Sequence, residues 1–318
     1  MSDYKAIHGV KIRDYTTDPD NLIEGQVWFD KTAKALQFQA AGAGAWATGG
    51  NLNTGRASLM GAGTQTAGLA FAGRSPNTGK TEKYNGSSWT EVNDMNTARS
   101  QGGGSGIQTS ALAYAGEGDS NVALAESFNG TSWTEVGDLN AARHLASGGA
   151  GADNTSALAF GGGDSPKAYT ELWNGSGWTE VNDLNTGRYN VASSGIATAC
   201  LCYAGHTGSG ASALNESWNG TSWTEIGDMN TARASPGGSG TAASNALVFG
   251  GETPPARAFT ESFNGTSWTE VGDLNAAVSG NTGTGTIAAA LSFGGDPDTD
   301  GTQEFTDPTF SIKTVDID

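Results

Sequence analysis

Histidine is nearly absent from this chain, with three in 318 residues. His8, His144 and His206 lie far apart, so they suggest no shared metal site and no catalytic base. Cysteine is scarcer still. Cys200 and Cys202 stand two apart on one expected strand, which aims them at the same face but holds them too far apart for a disulfide. With no further metal ligands evident nearby, they read as small buried thiols. Basic residues are few: 16 Lys and Arg stand against 33 Asp and Glu, a formal net charge of -17. That balance argues against binding a nucleic-acid backbone or docking on an anionic membrane. No apolar run approaches the ~18 residues of a membrane-spanning helix. No apolar region follows Met1-Ser2-Asp3-Tyr4-Lys5, so no signal peptide is read. Long amphipathic helical stretches are also missing from a chain with 49 Gly, which disfavours a helical fold.

What the chain does have is repetition. Tyr84-Asn85-Gly86-Ser87-Ser88-Trp89-Thr90-Glu91-Val92 recurs, nearly unchanged, around Trp133, Trp178, Trp223 and Trp268, at spacings of 44 or 45 residues. That period accommodates four short strands and their turns, one blade of a propeller. Degenerate copies sit at Trp46 upstream and at Phe310 downstream, where Phe305 and Phe310 keep the spacing of Phe263 and Trp268. Seven anchors result, and seven units of about 45 residues fill a chain of this length. A second landmark recurs in phase: an apolar run ending in an aromatic and a small pair. Its copies are Phe71-Ala72-Gly73, Tyr114-Ala115-Gly116, Phe160-Gly161-Gly162, Tyr203-Ala204-Gly205, Phe249-Gly250-Gly251 and Phe293-Gly294-Gly295. Runs such as Ala157-Leu158-Ala159-Phe160 read as strands buried on both faces. Asn-Gly at Asn85, Asn129, Asn174, Asn219 and Asn264 predicts type I′ hairpins. The same positions are Asn-x-Ser/Thr sequons, and turn chemistry accounts for them.

Each full unit also repeats a carboxylate pair, such as Glu91 with Asp94, followed by an arginine at Arg99, Arg143, Arg188 and Arg233 but by Val278 after the Glu270 pair. Paired carboxylates suit glycoside hydrolysis. A catalytic centre is a single asymmetric site, however, and these pairs recur around a ring. They read as Asp–Arg bridges between strands or blades, and no catalytic residue is assigned. One acidic loop is singular: Asp296, Asp298 and Asp300 alternate before Gly301, a spacing that suits calcium or a solvated turn. The loops after the small pairs diverge most, with Asn77, Asp119, Lys167, His206 and Arg257 as their representatives. In an up-and-down blade these loops share one face, which is the layout of a binding surface.

Residues 1–40 do not repeat. Val10-Lys11-Ile12-Arg13-Asp14-Tyr15 alternates like a strand, and Gly25 to Asp30 with Ala35 to Phe38 reads as a hairpin. Adding the Trp46 strand makes a seventh blade. The other arrangement is a six-bladed ring with an N-terminal attachment segment, residues 1–40, preceding the repeats of residues 41–318.

The small pair after one strand and the two spaced aromatics after it resemble the kelch repeat, over about residues 40–318. The resemblance implies an all-β, kelch-like β-propeller. The ligands of kelch-type copper oxidases are not recognisable, and the Asp-box turn of sialidase propellers is broken by Phe263. Leu22-Ile23-Glu24-Gly25-Gln26-Val27-Trp28-Phe29 is similar to the opening of structural proteins of tailed bacteriophages, marine ones especially. Gly50-Asn51-Leu52-Asn53-Thr54-Gly55-Arg56 is similar to their kelch-like proteins. This implies a non-enzymatic virion component (a tail, neck or capsid appendage) assembled in the host cytoplasm. Its expected partners are other virion proteins and a host-surface glycan or protein, with no nucleic acid and no membrane insertion. No cofactor is implied beyond the calcium reading. The rival readings are a soluble protein-interaction scaffold and a glycan-active enzyme. The latter requires a nonrepeated carboxylate such as Asp164 or Glu252.

Overall fold

A computed structural model describes residues 12–17, 19, 26–40, 44–74, 76–144, 148–307 and 311–315, without side-chain detail for Gln39, Ala40, Gly148 and residues 311–313. These residues form strands and turns and contain no helix. The strands make seven four-stranded sheets, the number expected from the repeat. They divide into two compact units, residues 45–306 and residues 1–44 with 307–318.

The larger unit is a β-propeller. Its first blade runs outward through Met60–Thr64, Ala67–Phe71, Thr81–Tyr84 and Trp89–Val92. The innermost strands of the next five blades are Gly103–Ile107, Gly148–Asp153, Ala192–Ile196, Gly237–Ala242 and Thr282–Gly285. Each packs beside the next, and Thr282–Gly285 packs beside Met60–Thr64, so six blades close the ring. Of the two arrangements open in the sequence, this is the six-bladed one, and the seventh sheet belongs to the other unit. The strand Ala45–Thr48 does not join the N-terminal hairpin as expected. It becomes the outermost strand of blade 6, with Trp46 opposite Phe305. Packing decides this placement, because the Trp46 ring lies 5.2 Å from Phe305 and 4.7 Å from Phe249 of blade 5.

In the smaller unit, Arg13–Tyr15 runs parallel to Val27–Asp30, which pairs with Ala35–Ala40, and Ser311–Thr314 completes the sheet. The C-terminal strand assigned to the repeats therefore pairs with the N-terminal segment instead. The Phe310 anchor lies outside the described residues, as do Leu22 to Gly25.

The core follows from the two landmarks. In blades 2 to 6 the second strands are buried over their last four residues, as the apolar runs predict, and Ala67–Phe71 of blade 1 matches them. The closing aromatic of each second strand meets the tryptophan of the following blade. Phe71 lies 4.9 Å from Trp133, Tyr203 5.2 Å from Trp268, and Phe293 of blade 6 lies 5.0 Å from Trp89 of blade 1. Such tilted and edge contacts suit aromatic quadrupoles. Glycine in the innermost strands leaves room for these rings: a Cβ at Gly104 would stand 2.9 Å from Phe71 Cζ and 2.8 Å from the Gly61 carbonyl.

The Asn-Gly turns differ from expectation. Only the glycine has positive φ, +92° at Gly86, and the connection spans four residues rather than two. Asn85 Oδ1 accepts the backbone N–H groups of Ser87 and Ser88 at 3.0 and 2.9 Å, an Asx turn in place of a type I′ turn.

Candidate functional site

The repeated arginines are consumed by the joints between blades. Arg99, in the connection leaving blade 1, donates to Glu126 Oε1 on the third strand of blade 2 at 2.6 Å, with both side chains buried. Arg56–Glu82, Arg143–Glu171, Arg188–Glu216 and Arg233–Glu261 repeat the pair. The glutamate also accepts the backbone N–H and side-chain amide of an asparagine: Asn185 gives Glu216 Oε2 bonds of 2.7 and 2.9 Å. The Asn185 amide bonds in addition to the Trp223 carbonyl at 3.2 Å. Burial lowers the pKa of Arg56, Arg99 and Arg233, and the facing glutamate opposes that shift.

The arginines thus meet third-strand glutamates, which sequence reading did not single out, rather than the repeated Glu–Asp pairs. Asp94 instead accepts the Thr81 backbone N–H at 3.1 Å, and Asp183 does the same for Thr170 at 3.1 Å. Glu91 and Glu135 are exposed on the outermost strands. The sixth joint reveals the logic. Val278 replaces the arginine, and Gln303 replaces the glutamate, accepting the Asn275 N–H at 2.8 Å. A buried carboxylate without its guanidinium would be strongly disfavoured, and the chain carries an amide there. That signal was present in the sequence as a paired departure in one repeat.

Nonrepeated chemistry collects on one face, where the connections entering the innermost strands meet the loops following the second strands. Six register-equivalent positions follow the small pairs: Arg74, Glu117, Gly163, His206, Glu252 and Asp296. Each donates its backbone N–H to the connection of its own blade, with His206 to Tyr189 and Glu252 to Ala234 both at 2.8 Å. Inside them lies a narrower ring. Ser58, Gln101, Asn190, Ser235 and Gly280 occupy equivalent positions, all left-handed, with φ between 52° and 60°. Ser58 N–H donates to the Gly280 carbonyl, Gln101 to Ser58, Ser235 to Asn190, and Gly280 to Ser235, all at 2.8–2.9 Å. The sixth position, residue 145, lies outside the described residues. The backbone of this mouth is uniform while its side chains differ from blade to blade.

The mouth encloses about 200 Å³, bordered by Ser58, Asn190, Ser235, Glu252, Asn281 and Asp296 among others. It shares Leu59, Gly102, Pro236, Asn281 and Thr282 with the central channel, about 380 Å³ lined by uncharged residues, most of them Gly, Ala, Ser and Thr. Around the mouth, Gln101 donates to Glu117 at 2.6 Å, and Arg74 lies 3.6 Å from Asp296 with both half exposed. The His206 ring stacks on Tyr189 at 4.9 Å.

Of the loop residues named from sequence, His206 belongs to this rim. Asn77 reaches the carbonyls of Glu117 and Gly118 at 3.1 and 3.2 Å, tying the loop of blade 1 to that of blade 2. Asp119 is exposed, Lys167 sits 6.0 Å over Tyr169, and Arg257 sits 5.9 Å over Phe259. A tie between blades 2 and 3 went unpredicted: Asn121 donates to Asp164 at 3.0 Å, and His144 lies between Asn121 and Asp164 Oδ1, 3.4 Å from the latter. The calcium positions are not drawn into a ligand group. Asp296 faces Arg74, and among the described residues no three His, Cys, Asp or Glu side chains come together as a metal site. Cys200 and Cys202 are free and buried, and burial pushes both thiols up, Cys202 to about 12.

No protein-family model and no curated protein matches this chain.

Proposed function

We propose that this propeller is a non-enzymatic structural ring of a tailed-bacteriophage virion that meets its partner through the loop face. The observation that carries the reading is the division of labour among side chains. The repeated arginines and third-strand glutamates are spent on inter-blade joints, while the rim of one face keeps a fixed backbone and varies its side chains. A rigid frame with divergent residues at one end suits recognition and gives no recurring catalytic constellation. The virion assignment draws on the kelch-like landmarks and on the phage-like segments at residues 22–29 and 50–56. Many copies on one particle would turn weak single contacts into firm attachment.

Immunogold electron microscopy with antibody to this chain, on purified phage particles from its source, tests the proposal. Label on tail, neck or capsid is the expected result. Unlabelled particles alongside abundant protein in the lysate would overturn the virion role in favour of a soluble interaction scaffold.

A further inference from the structure

We propose that the mouth of the central channel is a saccharide-binding site, taking a single uncharged sugar ring on the loop face. The inference rests on the reading of that face as a contact surface and names the ligand chemistry at its centre. Four observations converge.

Size comes first. About 200 Å³ lies below the roughly 300–1,000 Å³ of drug-sized pockets, so the mouth suits one ring rather than an extended ligand.

Polarity is second. The border offers the Ser58 and Ser235 hydroxyls, the Asn190 amide and the Glu252 carboxylate, the mixture of donors and acceptors that a ring of hydroxyl groups needs. The floor shared with the channel adds Leu59 and Pro236, an apolar patch for the C–H face of the same ring.

Charge is third. Arg74 stands among the bordering residues with Glu252 and Asp296, and it already faces Asp296, so the lining is not built for a polyanion.

Pre-organisation is the fourth. The hydrogen-bonded ring of left-handed residues fixes where each side chain starts, so little order remains to be imposed on binding.

The conformation of the ring also supplies clean variants. Glycine and asparagine both tolerate left-handed φ. Asn190→Gly therefore deletes the amide, and Gly280→Asn inserts one, without disturbing the backbone. At Gly280 a Cβ would find only Ser58 atoms within 4 Å, the nearest at 3.7 Å, so the added side chain enters open space in the mouth.

Saturation-transfer NMR on the full chain, with the methyl glycosides of glucose, galactose, mannose, rhamnose and N-acetylglucosamine as probes, makes the test. At least one glycoside should receive saturation. Asn190→Gly and Gly280→Asn should each weaken it about tenfold or more while near-UV circular dichroism stays unchanged, and Thr90→Ala on an outermost strand should leave it intact. Silence from all five glycosides overturns the proposal, and so does a signal that survives both mouth variants. The two readings fail separately. Labelled particles with no glycoside signal remove the sugar site alone, and a glycoside signal with unlabelled particles removes the virion role alone.

Discussion

At the scale of single residues, the departures from the repeat are the informative positions. Trp133 Nε1 donates to Thr81 Oγ1 of the preceding blade at 3.0 Å, Trp223 to Thr170 at 3.2 Å, Trp46 to Thr260 at 3.1 Å, and Trp89 to Thr302 at 2.9 Å. The equivalent residue for Trp178 is Ala125, and the Trp178 Nε1 is buried without a partner. Ala125→Thr should therefore stabilise the protein by about 1 kcal/mol, the net worth of one buried hydrogen bond, read as a higher urea midpoint at unchanged slope. No change, or a loss, would mean that this site lacks the room its four counterparts have. The Arg–Glu joint makes a second test. Glu261→Gln alone leaves the Arg233 guanidinium buried without its counter-ion and should destabilise by about 3–5 kcal/mol. Adding Arg233→Val recreates the Val278–Gln303 joint and should recover much of that loss, a coupling a double-mutant cycle measures. The arginine positions were legible in the sequence but their partners were not. Glu82 and Glu91 sit directly opposite each other on paired strands, and only packing between blades decides which of them is buried.

At the scale of elements, the local signals were read well where one blade suffices to explain them. The second strand announces itself because it is buried on both faces, and the small pair because its backbone is left-handed, as at Gly161 and Gly162 with φ +70° and +93°. The hairpin type was misread, because dipeptide chemistry marks a turn without setting its length. Strand Ala199–Tyr203 carries a pH prediction. Its two thiols are buried, and their folded pKa values lie above the ordinary 9.0, with Cys202 at about 12. A folded pKa raised in this way leaves stability untouched below pH 9, where both states hold the proton. Stability is then lost as pH climbs from 9 towards 12, because only the unfolded chain releases it. At pH 10 each thiol should lower stability by about 1.4 kcal/mol relative to pH 8. Urea titrations of wild type and of a Cys200→Ala, Cys202→Ala variant at the two pH values measure it. The double variant should show the smaller alkaline loss, and equal losses would place the responsible groups elsewhere, with Tyr84, also raised to about 12, as the next to replace.

At the scale of the whole molecule, the least legible feature is how the ring closes. The repeat gave the number of sheets, but the partner of the Trp46 strand lies more than 250 residues away in the chain, and no local pattern encodes such a pairing. The closure is a strand from the start of the larger unit completing the blade at its end. It is held by Trp46 against Phe249 and Phe305, by its Nε1 bond to Thr260, and by Asn275 reaching the Trp46 carbonyl at 3.3 Å. Two shortened chains separate the contributions. Residues 45–306 keep every one of these contacts and should melt within a few degrees of the full chain. Residues 50–306 lose the strand, expose the Phe305 edge and remove a buried tryptophan, a loss of about 3–5 kcal/mol before its backbone bonds are counted. At roughly 2–4 °C per kcal/mol for a domain of this size, the melting temperature should fall by about 10 °C or more. Differential scanning calorimetry of both chains decides it. If residues 50–306 melt alongside residues 45–306, the six blades hold their ring without the closing strand, and the packing between innermost strands carries it. If residues 45–306 fail to fold, the propeller depends on the N-terminal sheet, and the two units are one folding domain.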